Sequence, residues 1–333
     1  MTNGIYTLAN DYVYNQLVAL LNSIEVNAGD VPVCVIAYND QVDLVRAEVA
    51  ARKNVTLLED PEIFARWEEF SHRVWQSHPT AIETWQTKGI KKFYRVGENR
   101  RYCAFDSNSY FEKFIYLDAD TLVMQPLDFV FEKLDNYDFV VYDFQYKDPT
   151  HIYNVSSSKL YEVFSKERIE SEIFCSGFYA SKRGVFPAEQ REWILEQLNQ
   201  GDSEVLYMGA PNQSVLNYMR MKTNTSIYNF ALNLPSDQAT GCSVTSSHFQ
   251  NQDHILYDKG NKLTYLHYIG LSSKIFNQLC AGENIDFPYR DIFLHYRYLY
   301  APNERPQFTT KLKAHNAPPS LGKRILKKLG LAG

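Results

Sequence analysis

The chain has 333 residues, 45% of them hydrophobic and 22% charged, with a formal net charge of −5. Those proportions belong to a globular chain with room for one large domain or two ordinary ones, and without the dominant basic face of a nucleic-acid binder, so no nucleic acid is expected as a partner. The five cysteines are scattered and form no CxxC pair, which argues against a disulfide framework or a zinc knuckle and points to a reducing cytoplasm.

The N-terminal "MTNGIYTLANDYVY" has neither the basic region nor the apolar core of a secretory leader, and none is expected. No window approaches ~18 uncharged apolar residues, so no spanning helix is expected either. "GIYTLA" predicts a first strand, and Leu17, Leu20, Leu21 and Ile24 recur at helical spacing after it. "VPVCVIAY" predicts a second strand, "QVDLVRAEVAARKN" a helix and "VTLLE" a third strand. A βαβαβ opening of this kind implies a parallel sheet with helices on its faces.

The stretch from "IETWQTKGI" to "RRYCAFDSN" reads as helical and leads into the strand "KFIYLDAD". "FVFEKLDNYDFVVYDF" predicts a short helix and a strand, "IFCSGFYASKR" a strand, and "PAEQREWILEQLNQG" and "APNQSVLNYMRMK" two helices. "LTYLHYIG" is a late strand that ends in a polar turn. No linker rich in Pro, Gly or Ser divides the chain, so one α/β domain is expected over residues 1–300, followed by an extension, 301–333. Within the extension, Lys323, Arg324, Lys327 and Lys328 interleave with Leu321, Ile325, Leu326 and Leu329 as a short basic amphipathic helix, weakened by Gly322. It reads either as an attachment to an anionic membrane surface, placing the chain peripherally at the inner face, or as a solvated or docked terminal helix. Most of the 24 Tyr and 20 Phe are assigned to packing.

Asp118 and Asp120 stand at the end of the strand "FIYL". Open parallel sheets bind ligands beyond the carboxyl ends of their strands, and residues two apart in an extended segment point the same way. Two carboxylates aimed together need compensation, which a divalent cation such as Mn²⁺ or Mg²⁺ supplies. A plain turn after a strand accounts for the pair equally well when it is taken alone. A glycosidase-type acid pair does not, because neighbours on one strand end cannot flank a scissile bond from two sides.

In context, "YLDADTLV" resembles the metal-binding segment of GT-A nucleotide-sugar glycosyltransferases, and in particular the retaining family that includes glycogenin and bacterial lipopolysaccharide galactosyltransferases. The resemblance runs in order from residue 4 to about Lys274. It implies a single GT-A domain, with a mostly parallel central sheet flanked by helices. It further implies that Leu8, Asn10 and Tyr14 in "YTLANDYVYNQL" contact the uridine, with Tyr12 an equally placed ring for stacking on the base. Arg101, or Arg100, would reach the diphosphate. "GAPNQSVLNYM" is similar to the family's reaction-centre segment, giving Asn212 and Gln213. "LHYIGLSSK" is similar to the motif whose His completes the metal site, so His267 joins Asp118 and Asp120, while Gly270 and Lys274 meet the phosphates.

The activity so implied is metal-dependent transfer of a sugar, with retention, from a UDP-sugar to a glycan, glycolipid or small-molecule acceptor. In that reading a divalent cation would supply Lewis-acid charge to the leaving diphosphate, and the Gln213 carbonyl would support an oxocarbenium-like transition state. Three departures stand out: Cys175 where the family usually has Asn, Asn212 where it has Asp, and one extra residue between Gly270 and Lys274. The first two positions contact the sugar, so donor identity is left open. Acceptor contacts are expected from segments 147–172 and 233–254, the second being polar enough for a lid. A nucleotidyltransferase is disfavoured, since "YTLANDYVYNQL" lacks a Gly- and basic-rich triphosphate loop. A sugar-nucleotide-binding module or sensor without transferase activity is the alternative.

Overall fold

The first three apolar runs form β1 (Asn3–Ala9), β2 (Val33–Ala37) and β3 (Val55–Leu58), joined by helical crossovers α1 (Tyr14–Ala28) and α2 (Asp43–Ala50). They belong to a computed structural model that describes residues 2–91 and 93–316, so the basic amphipathic segment expected at 321–329 lies outside the described residues. All five residues of β2 are buried, as in a parallel strand covered on both faces. α3 (Pro61–Gln76) follows, started by Asp60, whose carboxylate accepts from the amides of Glu62 and Ile63. Its apolar side carries the fully buried Trp67 and Val74.

The central sheet is completed by β4 (Lys113–Leu117), β6 (Phe139–Val141), β7 (Phe178–Lys182) and β8 (Ile227–Asn229); between β4 and β6 in the chain comes β5 (Thr121–Val123). The strand order is β3-β2-β1-β4-β7-β6-β8. Only β7 runs against the others. This is the mostly parallel, helix-flanked α/β sheet that the alternation of periods predicts. The reversed strand has a consequence for the site: the residues just before β7 emerge at the same edge as the residues just after β1, β2 and β4.

The C-terminal third adds smaller sheets. A meander of β9 (Gln250–Gln252), β10 (Ile255–Asp258) and β11 (Asn261–Lys262) precedes β12 (Tyr265–His267), which pairs antiparallel with β5. β13 (Ile285–Asp286) pairs with β14 (Lys313–Ala314). Two apolar clusters result. The larger fills the central sheet, and a second packs Leu122, Leu266, Tyr268 and Phe276 beside α1. Many of the aromatics are core: Phe105, Phe114, Tyr116, Phe139 and Tyr179 are all fully buried and in ring contact.

One expected helix is corrected. Among the described residues between 82 and 108 the α-helical ones belong to Ala81–Thr87, and Val96–Phe105 winds as 3-10 turns. Gly89 and Arg95 both take left-handed φ values, +72° and +53°, which ends the first helix and restarts the chain. Beyond that point Asn99 and the run Arg101–Phe105 are buried together, a pattern with no single polar face for an α-helix.

The polar stretch 233–254, expected as a lid or acceptor loop, is bonded at two points to the end of β10 and the turn after it. The Gly241 amide donates to the buried Asp258, and Lys259 Nζ donates to the Ser236 carbonyl. Among the described residues no helix is long and apolar enough to cross a membrane.

Candidate functional site

A cavity of about 780 Å³ opens at the carboxyl edge of the sheet. β1 delivers Leu8 and Asn10 to it, β4 delivers Asp118, and the lead-in to β7 delivers Cys175, Ser176 and Gly177. β12 contributes His267, and the helix Pro211–Lys222 contributes Asn212 and Gln213 from its first turn.

Asp118, Asp120 and His267 converge, each offering a ligand atom within 4.8 Å of the others. His267 Nε2 lies 3.3 Å from Asp120 Oδ1. Burial opposes charge on that imidazole, but the Asp120 carboxylate and the hydrogen-bonded Cys175 thiol outweigh it and hold its pKa well above the ordinary histidine value. The carboxylates thus draw positive charge into a buried place. Two carboxylates and one imidazole suit Mn²⁺ or Mg²⁺.

The supports of this cluster are specific. Asp118 Oδ1 receives Arg101 Nη2 at 3.0 Å and the Tyr116 hydroxyl at 3.1 Å, and the Asp118 amide donates to the Gly177 carbonyl at 2.9 Å. Arg101 is 4% exposed, lies over the Tyr116 ring at 4.7 Å and also donates to Ser176. Behind His267 and Cys175 sits Asp143, whose oxygens accept from the amides of Gln145 and Cys175. Its burial pushes its pKa up to about 7 despite those bonds.

The amide pair at the helix start is oriented by its neighbours. Gln213 Oε1 accepts from the Ser176 amide at 2.9 Å, and its Nε2 donates to the His151 carbonyl. Asn212 Nδ2 donates to Glu98 at 2.8 Å. Glu98 lines the cavity, where burial raises its pKa against the pull of Arg95 and Arg101.

The remaining expected residues divide. Leu8, Asn10, Arg101 and Gly270 line the cavity. Gly270 does so in a turn that needs its φ of +83°. Tyr14 does not line it: its hydroxyl donates to Glu48 at 2.9 Å and Arg297 covers its ring. Tyr12 does, 55% exposed, because the Asn10 side chain caps the 3-10 turn Asp11–Val13 and turns the chain there. Arg100 points elsewhere, pairing with Glu68 at 2.6 Å across Phe64. Lys274 is exposed and outside the lining, whereas Ser272 and Ser273, at the start of the helix Ser273–Cys280, lie within it. The extra residue after Gly270 places the helix start, instead of the lysine, at the cavity.

No protein-family profile and no curated protein sequence matches the chain. Solved structures do. The apo structure of the bifunctional glycosyltransferase WbbM superposes with a TM-score of 0.54 at 13% identity, covering 92% of this chain. The chain spans only 52% of the length of WbbM. An active-site mutant of LgtC superposes with a TM-score of 0.50 at 14% identity, over 87% of this chain and 100% of that one. The chain has the GT-A fold. The cavity lies where a GT-A sheet, as an open α/β sheet, offers its ligand edge, beyond the carboxyl ends of β1, β2 and β4.

Four side chains shaping the site had no signal of their own in the sequence: Glu98, Tyr116, Asp143 and Ser176. Asp143 came nearest to one, since it ends the strand run "FVVYD" much as Asp118 ends "FIYLD".

Proposed function

We propose that the chain is a metal-dependent glycosyltransferase that takes a sugar from a UDP-sugar and transfers it, with retention, to a glycan, glycolipid or small-molecule acceptor. The observation that carries this reading is the Asp118–Asp120–His267 cluster, set in the same cavity as Leu8, Asn10 and the exposed ring of Tyr12. The names of the GT-A neighbours accord with it, and the LgtC structure is altered at an active-site glutamine.

Asp118, Asp120 and His267 would hold Mn²⁺ or Mg²⁺, which when bound supplies Lewis-acid charge to the leaving diphosphate. Arg101 and Tyr116 keep Asp118 in place for that role. The Tyr12 ring offers a face to the base. Gly270, Ser272 and Ser273 line the cavity where the helix Ser273–Cys280 begins, and a helix start favours phosphate oxygens. Gln213 lines the cavity, fixed between Ser176 and His151, and its amide oxygen would stabilise positive charge developing on the anomeric carbon.

Calorimetric titration with UDP tests the reading. Affinity is expected to rise at least about tenfold when Mn²⁺ replaces EDTA, with slow hydrolysis of the cognate UDP-sugar in the absence of acceptor. UDP binding indifferent to Mn²⁺ would sink it. Metal-dependent binding with no hydrolysis across a panel of UDP- and GDP-sugars would favour the sensor alternative, which draws support from the two departures at Cys175 and Asn212. The basic C-terminal segment is proposed as a peripheral membrane contact. Co-sedimentation with anionic vesicles that does not change on removal of residues 317–333 would exclude that.

A further inference from the structure

Among the described residues lining the cavity, three carry carboxylates: Glu98, Asp118 and Asp120. Two belong to the cation cluster. Glu98 does not. It stands on the other side of Arg101, whose Nε donates to the Glu98 carbonyl while its Nη2 holds Asp118.

The Glu98 side chain is 15% exposed, and both of its oxygens are addressed. Oε1 pairs with Arg95, and Oε2 accepts from Asn212 Nδ2 at 2.8 Å. Asn212 has little freedom to turn away. Its Oδ1 accepts from the Gln213 amide and its backbone carbonyl accepts from the buried Tyr102 hydroxyl. An acid at position 212 would therefore meet Glu98 at hydrogen-bond distance with nothing between them. Positions 98 and 212 form a pair that accommodates one negative charge, and this chain places it at 98. Arg95, which neutralises that charge, is held in the left-handed region at φ +53°, a conformation that persists only when its surroundings enforce it.

A sugar ring presents hydroxyl donors, and a desolvated carboxylate is their strongest acceptor. We propose that Glu98 accepts a hydroxyl of the donor sugar, so that the acid which the resemblance places at 212 is supplied from 98, and that the cavity selects a neutral hexosyl donor over an acidic one. A uronic sugar would bring its own carboxylate toward Glu98, while Arg95 is already committed to that residue. The inference rests on the nucleotide-sugar reading above.

The test uses the full chain in Mn²⁺ and three variants: Glu98→Gln, Asn212→Asp and the two together. Dissociation constants are measured for UDP, UDP-glucose, UDP-galactose, UDP-N-acetylglucosamine and UDP-glucuronate. The quantity read is the gain in affinity that the sugar adds to UDP. In the wild type at least one neutral sugar is expected to add a gain, and glucuronate none. Each single variant is expected to reduce that gain about tenfold while UDP itself binds within about twofold of wild type, the size of effect that losing one charged hydrogen bond allows. The double variant, with its acid moved to 212, is expected to recover most of the gain. Thermal melts identify a variant that has lost its fold, and recovery in the double variant is a result that a purely structural role for Glu98 would not give.

A preference for UDP-glucuronate, a gain untouched by Glu98→Gln, additive losses in the double variant, or a wild type that gains from no sugar would each overturn the assignment while leaving UDP binding intact. Failure of the wild type to bind UDP at all would remove the nucleotide-sugar reading and this inference with it.

Discussion

Replacing Asp120 by Asn is expected to uncouple UDP binding from Mn²⁺ and to lower any transfer rate at least about a hundredfold, since even outer-shell partners of a metal site are worth about 10–100-fold. The substitution keeps the side-chain volume and removes one negative ligand. Asp120 is 23% exposed on its side chain and pairs with His267, whose imidazole can shed its proton when the carboxylate is removed, so less folding energy depends on Asp120 than on Asp118. Asp118→Asn is expected to abolish the same coupling but to behave differently on melting. Asp118 is the ion-pair partner of Arg101, whose side chain is only 5% exposed. Removing one member of a buried pair leaves the other uncompensated, at a cost of about 3–5 kcal/mol. Titration of UDP with Mn²⁺ and with EDTA, alongside urea denaturation of both variants, separates the two effects. Equal stability for Asp118→Asn and Asp120→Asn would show that the Arg101–Asp118 pair is not what holds the cluster.

That contrast marks what was legible in the sequence. The strand "FIYLDAD" announces its carboxylates, because a buried β run has few reasons to end in two aligned charges, and the parallel opening places them at the ligand edge. His267 was reachable through the resemblance of "LHYIGLSSK". The resemblance assigns Arg101, or Arg100, to the diphosphate; in the structure Arg101 lines the cavity and forms an ion pair with Asp118. The choice between Tyr12 and Tyr14 depends on a short 3-10 turn and an Asn10 cap, which shift the chain by a fraction of a helical turn that periodicity does not resolve. Glu98 was hidden for a different reason. It sits in a polar, basic stretch with helical composition, and only the tertiary burial of Arg101–Phe105 winds that stretch as 3-10 turns and brings the acid to Asn212. Local propensity is readable in a sequence; which polar side chains a sheet edge gathers from distant segments is not.

Gly177→Ala is expected to disable the cluster from behind. A β-carbon at 177 would lie 2.3 Å from His267 Cε1 and 2.8 Å from Nδ1, closer than carbon atoms approach. The histidine backbone cannot retreat. Its amide donates to the Cys242 carbonyl at 2.7 Å, its carbonyl accepts from Val244, and β12 is paired to β5. Position 177 cannot easily withdraw either, because its carbonyl holds the Asp118 amide at 2.9 Å. The ring must therefore rotate out of line with Asp120, at an overpacking cost of about 1–3 kcal/mol. Mn²⁺-dependent UDP affinity should fall by at least about tenfold, as expected when a ligand loses its orientation. The mechanism is distinguishable from general damage by a double-mutant cycle. In a His267→Ala background the alanine at 177 meets no ring, so its cost to both stability and UDP binding should nearly vanish, leaving a large coupling between the two positions. Additive losses would show that Gly177 is required for the backbone path into β7, independent of the histidine it faces.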